Sequence, residues 1–120
     1  MEHDFVGTHI IADVYGVSEE LFKEIDGIVR IVEDGIVVSG ATLINTFCHE
    51  FDNGGFTLVS LLKESHVSIH SYPEKQSLFI DVFTCGNIKP NAIIDKILEY
   101  FNPQEKNVQE IQRGTINIFF

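Results

Sequence analysis

Four short segments of strand-like composition follow one another in the middle of this 120-residue chain, with no helical pattern between them. Their apolar and β-branched residues predict strands at 41–51, 56–62, 67–72 and 78–84. Turn residues separate them, most clearly Asp52-Asn53-Gly54-Gly55. Because a run of strands flanked by helices is typical of an antiparallel or mixed sheet, this run constrains the fold more than any other feature.

Two segments with helical spacing flank the run of strands. The first extends from Leu21 to about Val38, has its apolar residues on one face, and is predicted to end at Gly40. Two glycines within it weaken the helical pattern, and a break is expected near Asp26-Gly27. The second helix is predicted from Asn87 to Phe101, with Pro90 in its first turn.

Strands are also predicted near the two ends of the chain, from Val6 to Val17 and from Thr115 to Phe120. The predicted order is therefore β-α-β-β-β-β-α-β. We predict an α+β fold, a two-layer α/β sandwich whose mostly antiparallel sheet carries both helices on one face. The apolar residues 116–120 would form an exposed sheet edge, which a second copy of the chain could cover.

Size and charge restrict the function. A chain of 120 residues is predicted to form one domain, residues 1–120. The net charge of −10 argues against nucleic-acid binding, which needs clustered Lys and Arg, and fits solubility or a cationic ligand. No apolar run approaches the roughly 20 residues that span a bilayer. Residues 1–4 lack a signal-peptide pattern, which predicts the cytoplasm, where Cys48 and Cys85 would be free thiols.

Residues 63–74 and 81–86 bring hydroxyl, imidazole, carboxylate and thiol groups together in the sequence. Singly, each has an ordinary explanation, such as a turn serine at Ser65 or a buried thiol at Cys85. A metal site is one possibility for the group, although no structural zinc spacing is matched by Cys48, His49, His66, His70 and Cys85.

Attack by the Ser65 hydroxyl, assisted by His70 and Cys85, is the other chemistry that these residues permit. His66, Ser68 and His70 share one face of a regular strand, whereas strict alternation would point Ser65 to the opposite face. This chemistry therefore requires Ser65 to lie in the break made by Lys63-Glu64, before the strand becomes regular.

The segments Glu64–Glu74 and Asp81–Gly86 resemble the core signature of the prokaryotic S-adenosylmethionine decarboxylase proenzymes. The similarity covers nearly the whole chain, since further segments resemble the family at His9–Gly16, His49–Phe51, Pro90–Ala92 and Arg113–Gly114.

This resemblance implies an enzyme that cleaves its own chain. The Ser65 hydroxyl attacks the carbonyl of Glu64, the ester that forms is eliminated, and a pyruvoyl group remains at the start of the second fragment. The processed protein would consist of fragments 1–64 and 65–120. The pyruvoyl group is the implied cofactor: its Schiff base with the substrate amine takes up the electrons left when carbon dioxide departs, as pyridoxal phosphate does elsewhere.

Residue roles are implied by the same resemblance. His70 assists self-cleavage by acid–base transfer, and Thr57 stands where the family usually has a serine that aids cleavage. Cys85 returns a proton to the product, Phe51 stacks on the adenine of S-adenosylmethionine, and Glu74 binds the ribose hydroxyls. The implied protein is a homodimer of processed protomers that makes decarboxylated S-adenosylmethionine, the aminopropyl donor for spermidine and other polyamines, without a metal.

Two other functions stay open. A pyruvoyl-dependent decarboxylase of ornithine or arginine would keep the cleavage motif, but Phe51 and Glu74 favour S-adenosylmethionine. An unprocessed, non-catalytic partner that regulates a processed homologue is slightly favoured by Thr57, because its extra methyl group is expected to slow cleavage.

Overall fold

The computed structural model describes residues 5–115. Two helices, α1 and α2, and six strands, β1 to β6, make up this part of the chain. A 3₁₀ helix at Glu19–Lys23 precedes α1, and a shorter one at Pro73–Lys75 joins β4 to β5. The bounds are β1 Gly7–Tyr15, α1 Ile25–Ser39, β2 Leu43–Glu50, β3 Phe56–Leu62, β4 His66–Tyr72, β5 Ser77–Cys85, α2 Asn91–Phe101 and β6 Glu105–Arg113.

The strands of residues 5–115 form a single sheet in the order β2-β3-β4-β5-β1-β6, and all five pairings are antiparallel. Three consecutive hairpins connect β2 to β5, and β1 lies between β5 and β6. This arrangement confirms the predicted α+β fold with a two-layer α/β sandwich. The predicted antiparallel run is confirmed as well, and β3 has the predicted bounds.

Each inner strand buries alternate residues, as a sheet covered on one face requires. In β4, for example, Val67 and Ile69 are fully buried, whereas His66 and His70 lie on the other face. The buried side chains of the strands form one core with those of α1 and α2. We call the uncovered side of the sheet the open face; Phe47, Val59, Leu61, His70, Phe79 and Phe83 lie on it.

One of the two glycines that weakened the first helical pattern has a packing role. A Cβ atom on Gly35 would lie 3.1 Å from the Cα atom of Ile93 in α2, so a larger residue here would push the two helices apart by a few tenths of an ångström. The predicted break near Asp26-Gly27 is wrong by a few residues, because the chain changes from the 3₁₀ helix to α1 at Glu24. Gly40 ends α1 as predicted, with φ at 86°.

The second helix and the last strand differ from the predicted bounds. Helix α2 begins at Asn91, because residues 87–90 form a turn in which the Ile88 carbonyl accepts a hydrogen bond of 2.8 Å from the Thr84 hydroxyl. Strand β6 was not predicted, since every residue in Glu105–Arg113 is exposed and the segment lacks an apolar alternation. The predicted strand at 115–120 lies largely outside the described residues, and Thr115 itself is not in a strand. Within residues 5–115 no helix is long and apolar enough to cross a membrane.

Candidate active site

Ser65 lies at the end of the tight hairpin between β3 and β4. Its N–H donates to the Leu62 carbonyl at 3.3 Å, and the Leu62 N–H donates to the Ser65 carbonyl at 3.0 Å. Lys63 and Glu64 therefore form a two-residue turn, which the Lys63 N–H anchors to the Thr42 carbonyl at 2.9 Å. The structure describes the continuous chain, in which residue 65 is an unmodified serine.

Two buried side-chain atoms at this hairpin have no hydrogen-bond partner. They are Oε1 of Glu64 and Oγ of Ser65, and within residues 5–115 no other buried side-chain oxygen or nitrogen is left unpaired. An unpaired buried polar atom costs roughly 1–3 kcal/mol, so such atoms are rare in folded proteins and call for an explanation. Both lie on the two residues that flank one peptide bond.

Cys85 ends β5 close to this hairpin. His66 is paired with Phe83 in the sheet, and continuing that register by one residue places Ser65 opposite Thr84. Since neighbouring strands lie about 4.8 Å apart, the backbone of Cys85 lies diagonally beside that of Ser65. Cys85 is a partly exposed free thiol on the open face, and its partner in β1 is Gly7. We call this region, with Ser65 and Cys85, the cleavage end.

Thr57 and His70 form a pair at the other end of β3 and β4. They are directly opposite each other in the sheet, and Oγ1 of Thr57 lies 3.3 Å from Nδ1 of His70. Which atom donates depends on the tautomer of the imidazole. His49 of β2 is the opposite neighbour of Thr57, so the threonine lies between two imidazoles on the open face.

Phe51 and Glu74 lie beyond this pair, in the turns that follow β2 and β4. The Phe51 N–H donates to the Gly55 carbonyl at 2.8 Å, and its half-exposed ring meets the His49 ring edge-on with centroids 4.7 Å apart. The exposed Glu74 carboxylate accepts a hydrogen bond of 3.5 Å from the Asn53 amide. Both Glu74 and Asn53 line a cavity of about 400 Å³. We call Phe51, Thr57, His70 and Glu74 the binding end.

The structure therefore separates the predicted site residues into two groups. Five residues along an extended strand correspond to about 17 Å, which is the distance along β4 between Ser65 and His70. Ser65 itself precedes β4, in the hairpin turn, so the alternation of the regular strand does not set the direction of its side chain. Thr57 and His70 are in contact, and Phe51 and Glu74 lie in the turns beyond them. Ser65 and Cys85 lie at the opposite ends of β4 and β5, so one protomer does not bring the two ends together.

The possible metal ligands are dispersed. Cys48 and His49 are adjacent in β2 and point to opposite faces, since Cys48 pairs with the core residue Leu58 and His49 with Thr57. Burial, followed by the nearby Glu50 carboxylate, raises the pKa of the Cys48 thiol. Within residues 5–115 no three His, Cys, Asp or Glu side chains converge as metal ligands do.

The sequence did not single out a partly buried contact between a histidine and an aspartate near the cleavage end. Nε2 of His9 lies 3.1 Å from Oδ1 of Asp81, with side chains 17% and 35% exposed. The ring of His66 lies edge-on to His9, with centroids 6.3 Å apart. Alternation places the three side chains on one face, but only the registers of β1 with β5 and of β4 with β5 show that they lie close together.

Comparisons with known proteins agree on one family. The family model described as S-adenosylmethionine decarboxylase matches residues 8–114. The S-adenosylmethionine decarboxylase proenzyme of Methanococcus maripaludis strain C5 is 37% identical over 114 residues, covering 94% of this chain and 93% of its own. The S-adenosylmethionine decarboxylase proenzyme 2 of Bacillus cereus strain ZK is 38% identical over 115 residues, covering 95% and 94%. The crystal structure of the adenosylmethionine decarboxylase from Aquifex aeolicus VF5 matches with a TM-score of 0.85 and 32% identity, over 95% of each chain.

Proposed function

The chain belongs to the S-adenosylmethionine decarboxylase family, and we propose that it cleaves its own backbone between Glu64 and Ser65. It is a decarboxylase of S-adenosylmethionine, and its product is the aminopropyl donor for polyamine synthesis. Residues 1–120 would form one domain that remains folded around the two fragments, 1–64 and 65–120.

The unpaired atoms of Glu64 and Ser65 carry this proposal. A serine hydroxyl that attacks a neighbouring carbonyl must be able to turn toward it and to give its proton to a base, so it must not be held by a structural hydrogen bond. Oγ of Ser65 is buried, which excludes bulk water, and has no such bond. Its location beside the scissile bond is the arrangement that a self-cleaving precursor needs.

The cleavage steps balance as follows. Oγ of Ser65 attacks the carbonyl carbon of Glu64, the C–N bond breaks, and the hydroxyl proton ends on the nitrogen of Ser65. The ester is then eliminated: a base removes the α-proton of residue 65, and Glu64 leaves as a carboxylate. Water replaces the nitrogen, which departs as ammonia, and a pyruvoyl group remains at the start of fragment 65–120.

Residues near the pyruvoyl group fit its chemistry. When bound to the α-amine of the substrate, the ketone withdraws the electrons left behind by carbon dioxide. Cys85 is a free thiol at the cleavage end and would return a proton to the product carbon. At the binding end, the exposed ring of Phe51 would stack on adenine, and the Glu74 carboxylate would accept hydrogen bonds from the ribose hydroxyls.

A second copy of the chain would bring a His70 close to Ser65. Acid–base transfer requires contact at about 3 Å, which His70 cannot make with Ser65 of its own protomer across about 17 Å. The open face exposes a group of large apolar side chains, which in soluble proteins often marks an interface; it comprises Phe47, Val59, Leu61, Phe79 and Ile111. A homodimer would bury these residues.

Two copies could pack with their open faces together, related by a two-fold axis that runs between the sheets and perpendicular to the strands. This arrangement would bring the cleavage end of each copy next to the binding end of the other. Sheets pack about 10 Å apart, so side chains from both can meet between them. The cleavage end of one protomer would then face the binding end of its partner, and the dimer would contain two equivalent sites. Each site would combine the cleavage end of one copy, with Ser65 and Cys85, and the binding end of the other. The binding end contributes Phe51, Thr57, His70 and Glu74.

Activity of matched serine variants tests the proposed function. Wild-type protein is expected to run as two fragments and to release labelled carbon dioxide from carboxyl-labelled S-adenosylmethionine. Ser65→Ala should remain one chain and release none, whereas the exposed Ser18→Ala should behave as wild type. A wild-type chain that stays intact and inactive would instead fit the non-catalytic regulatory partner. The cytoplasmic location stays a prediction, which the two free thiols Cys48 and Cys85 support.

A further inference from the structure

Side chains from three strands converge on the ring of Phe83 of β5, near the cleavage end. The ring centroids of His9 in β1 and His66 in β4 lie 5.7 and 5.8 Å from that of Phe83. The guanidinium carbon of Arg113 in β6 lies over the ring at 5.0 Å from its centroid. With Asp81 of β5, which contacts His9, we call these residues the histidine cluster.

The contact at the base of the histidine cluster is partly buried. Nε2 of His9 and Oδ1 of Asp81 are 3.1 Å apart, with side chains 17% and 35% exposed. A half-buried contact of this kind fixes the imidazole ring more firmly than an exposed pair does. His9 in turn packs edge-on against both Phe83 and His66.

The ring of Phe83 lies over Gly7, the residue paired with Cys85. A Cβ atom on Gly7 would lie 2.7 Å from a ring carbon of Phe83, so the ring covers the space that glycine leaves free. Gly7 is paired with Cys85 on one side and with Arg113 on the other. The histidine cluster therefore lies directly beside Cys85.

The histidine cluster also fixes the residue that follows the proposed cleavage site. Two hydrogen bonds to Leu62 hold Ser65 on the β3 side of the hairpin. On the β5 side, the start of β4 is held by the side chain of His66, which packs against Phe83 and His9. Any displacement of His66 would move the backbone of Ser65.

We propose that His9 and Asp81 are positioning residues for self-cleavage. They hold Phe83 and His66 in place, and His66 keeps the Ser65 hydroxyl in line with the Glu64 carbonyl carbon. This inference rests on the proposed function, because it concerns the rate of the same cleavage. It adds residues that do not touch the reacting atoms but determine how often those atoms meet.

The charge of His66 provides a signature of this role. Burial has the largest effect and lowers the pKa of His66; His9 and Arg113 lower it further, whereas Asp81 raises it. These are the charged and titratable groups that face His66 from β1, β6 and β5. A neutral His66 packs against Phe83, whereas a protonated one is repelled by His9 and Arg113. Cleavage is therefore expected to slow as the pH falls.

The test follows cleavage of freshly translated precursor between pH 5 and 8 by gel electrophoresis. Asp81→Asn should cleave about tenfold more slowly at neutral pH, since small displacements of reacting groups cost this much or more. We call the fall in cleavage rate toward low pH the acid limb of the profile. In Asp81→Asn the acid limb should lie at lower pH than in wild type, because the residue that raises the His66 pKa is gone. Arg113→Gln should move the acid limb to higher pH, because a residue that lowers this pKa is gone. The surface variant Asp95→Asn is the matched control and should behave as wild type.

A second measurement covers variants that fold poorly. In the uncleavable Ser65→Ala background, circular dichroism checks folding, and NMR titration of His66 should show opposite pKa changes for Asp81→Asn and Arg113→Gln. Wild-type rates and pH profiles in both variants would overturn this inference but leave the proposed function standing. The same applies if the two variants slow cleavage without moving the acid limb. A wild-type precursor that never cleaves would overturn the proposed function, and the inference with it.

Discussion

Two inactive variants are expected to restore self-cleavage when they form a dimer together. His70→Ala removes the acid–base group at the binding end, and Ser65→Ala removes the nucleophile at the cleavage end. Loss of a general acid or base typically slows a reaction by about 10²–10⁴-fold, so neither variant alone should yield fragments on the time scale of wild type. In a mixed dimer, the intact Ser65 of one chain would face the intact His70 of the other.

The size of the rescue follows from the symmetry of the dimer. Random pairing of equal amounts makes about half of all dimers mixed, and each mixed dimer holds one intact site out of two. About half of the His70→Ala chains should therefore be cleaved, whereas Ser65→Ala chains should remain whole. If one protomer held a complete site, cleavage in the mixture would not exceed that of the separate variants.

Co-expression with two different tags provides the assay. Native mass spectrometry would count mixed dimers, and denaturing mass spectrometry would assign each fragment 65–120 to its parent chain. Ser18→Ala mixed with Ser65→Ala is the control, in which cleavage should be confined to the Ser18→Ala chains. Confirmed mixed dimers without cleavage would refute the shared site. Cleavage of His70→Ala alone at the wild-type rate would refute the role of His70.

Three further predictions concern single positions. Thr57→Ser should speed self-cleavage severalfold, because it keeps the hydroxyl beside His70 and removes the crowding methyl group, whereas Thr57→Val should slow it; time courses of precursor loss compare the two. Since the pKa of His66 is lowered from its usual 6.5, the unfolded chain binds a proton that the folded chain does not between the two values. The free energy of unfolding should thus fall as the pH drops below about 6.5, and His66→Asn should flatten this dependence in urea titrations at pH 5 and 7.5. Gly35→Val should lower the free energy of unfolding by about 1–3 kcal/mol, because its Cβ would meet the backbone of Ile93 at 3.1 Å. Gly54→Ala is the comparison: a Cβ there meets no neighbour within 4 Å, but φ is 89°, so any loss of stability comes from backbone strain and not from crowding.

The central strands were predictable because their residues alternate between a buried and an uncovered face. Phe56–Leu62 follows this alternation without interruption, and its bounds were predicted correctly. Strand β6 lacks any buried residue, so its position depends on pairing with β1 rather than on its own pattern. Likewise, Gly35 argues against a helix by propensity, and only the neighbouring helix explains why it is there.

The site was predicted in part for the same reason. The sequence indicated a break at Lys63-Glu64 ahead of a regular strand, and those two residues form the hairpin turn before β4. The distance between the two ends, and the contact between His9 and Asp81, depend on the pairing of strands far apart in sequence. Local patterns do not specify that pairing.

Intact mass spectrometry of the purified wild-type protein tests the central claim most directly. The account predicts two masses, that of residues 1–64 and that of residues 65–120 with a pyruvoyl group in place of Ser65. Reduction with a hydride in the presence of an amine should then add that amine to the second fragment only. A single mass equal to the full 120-residue chain, unchanged after incubation, would contradict the account.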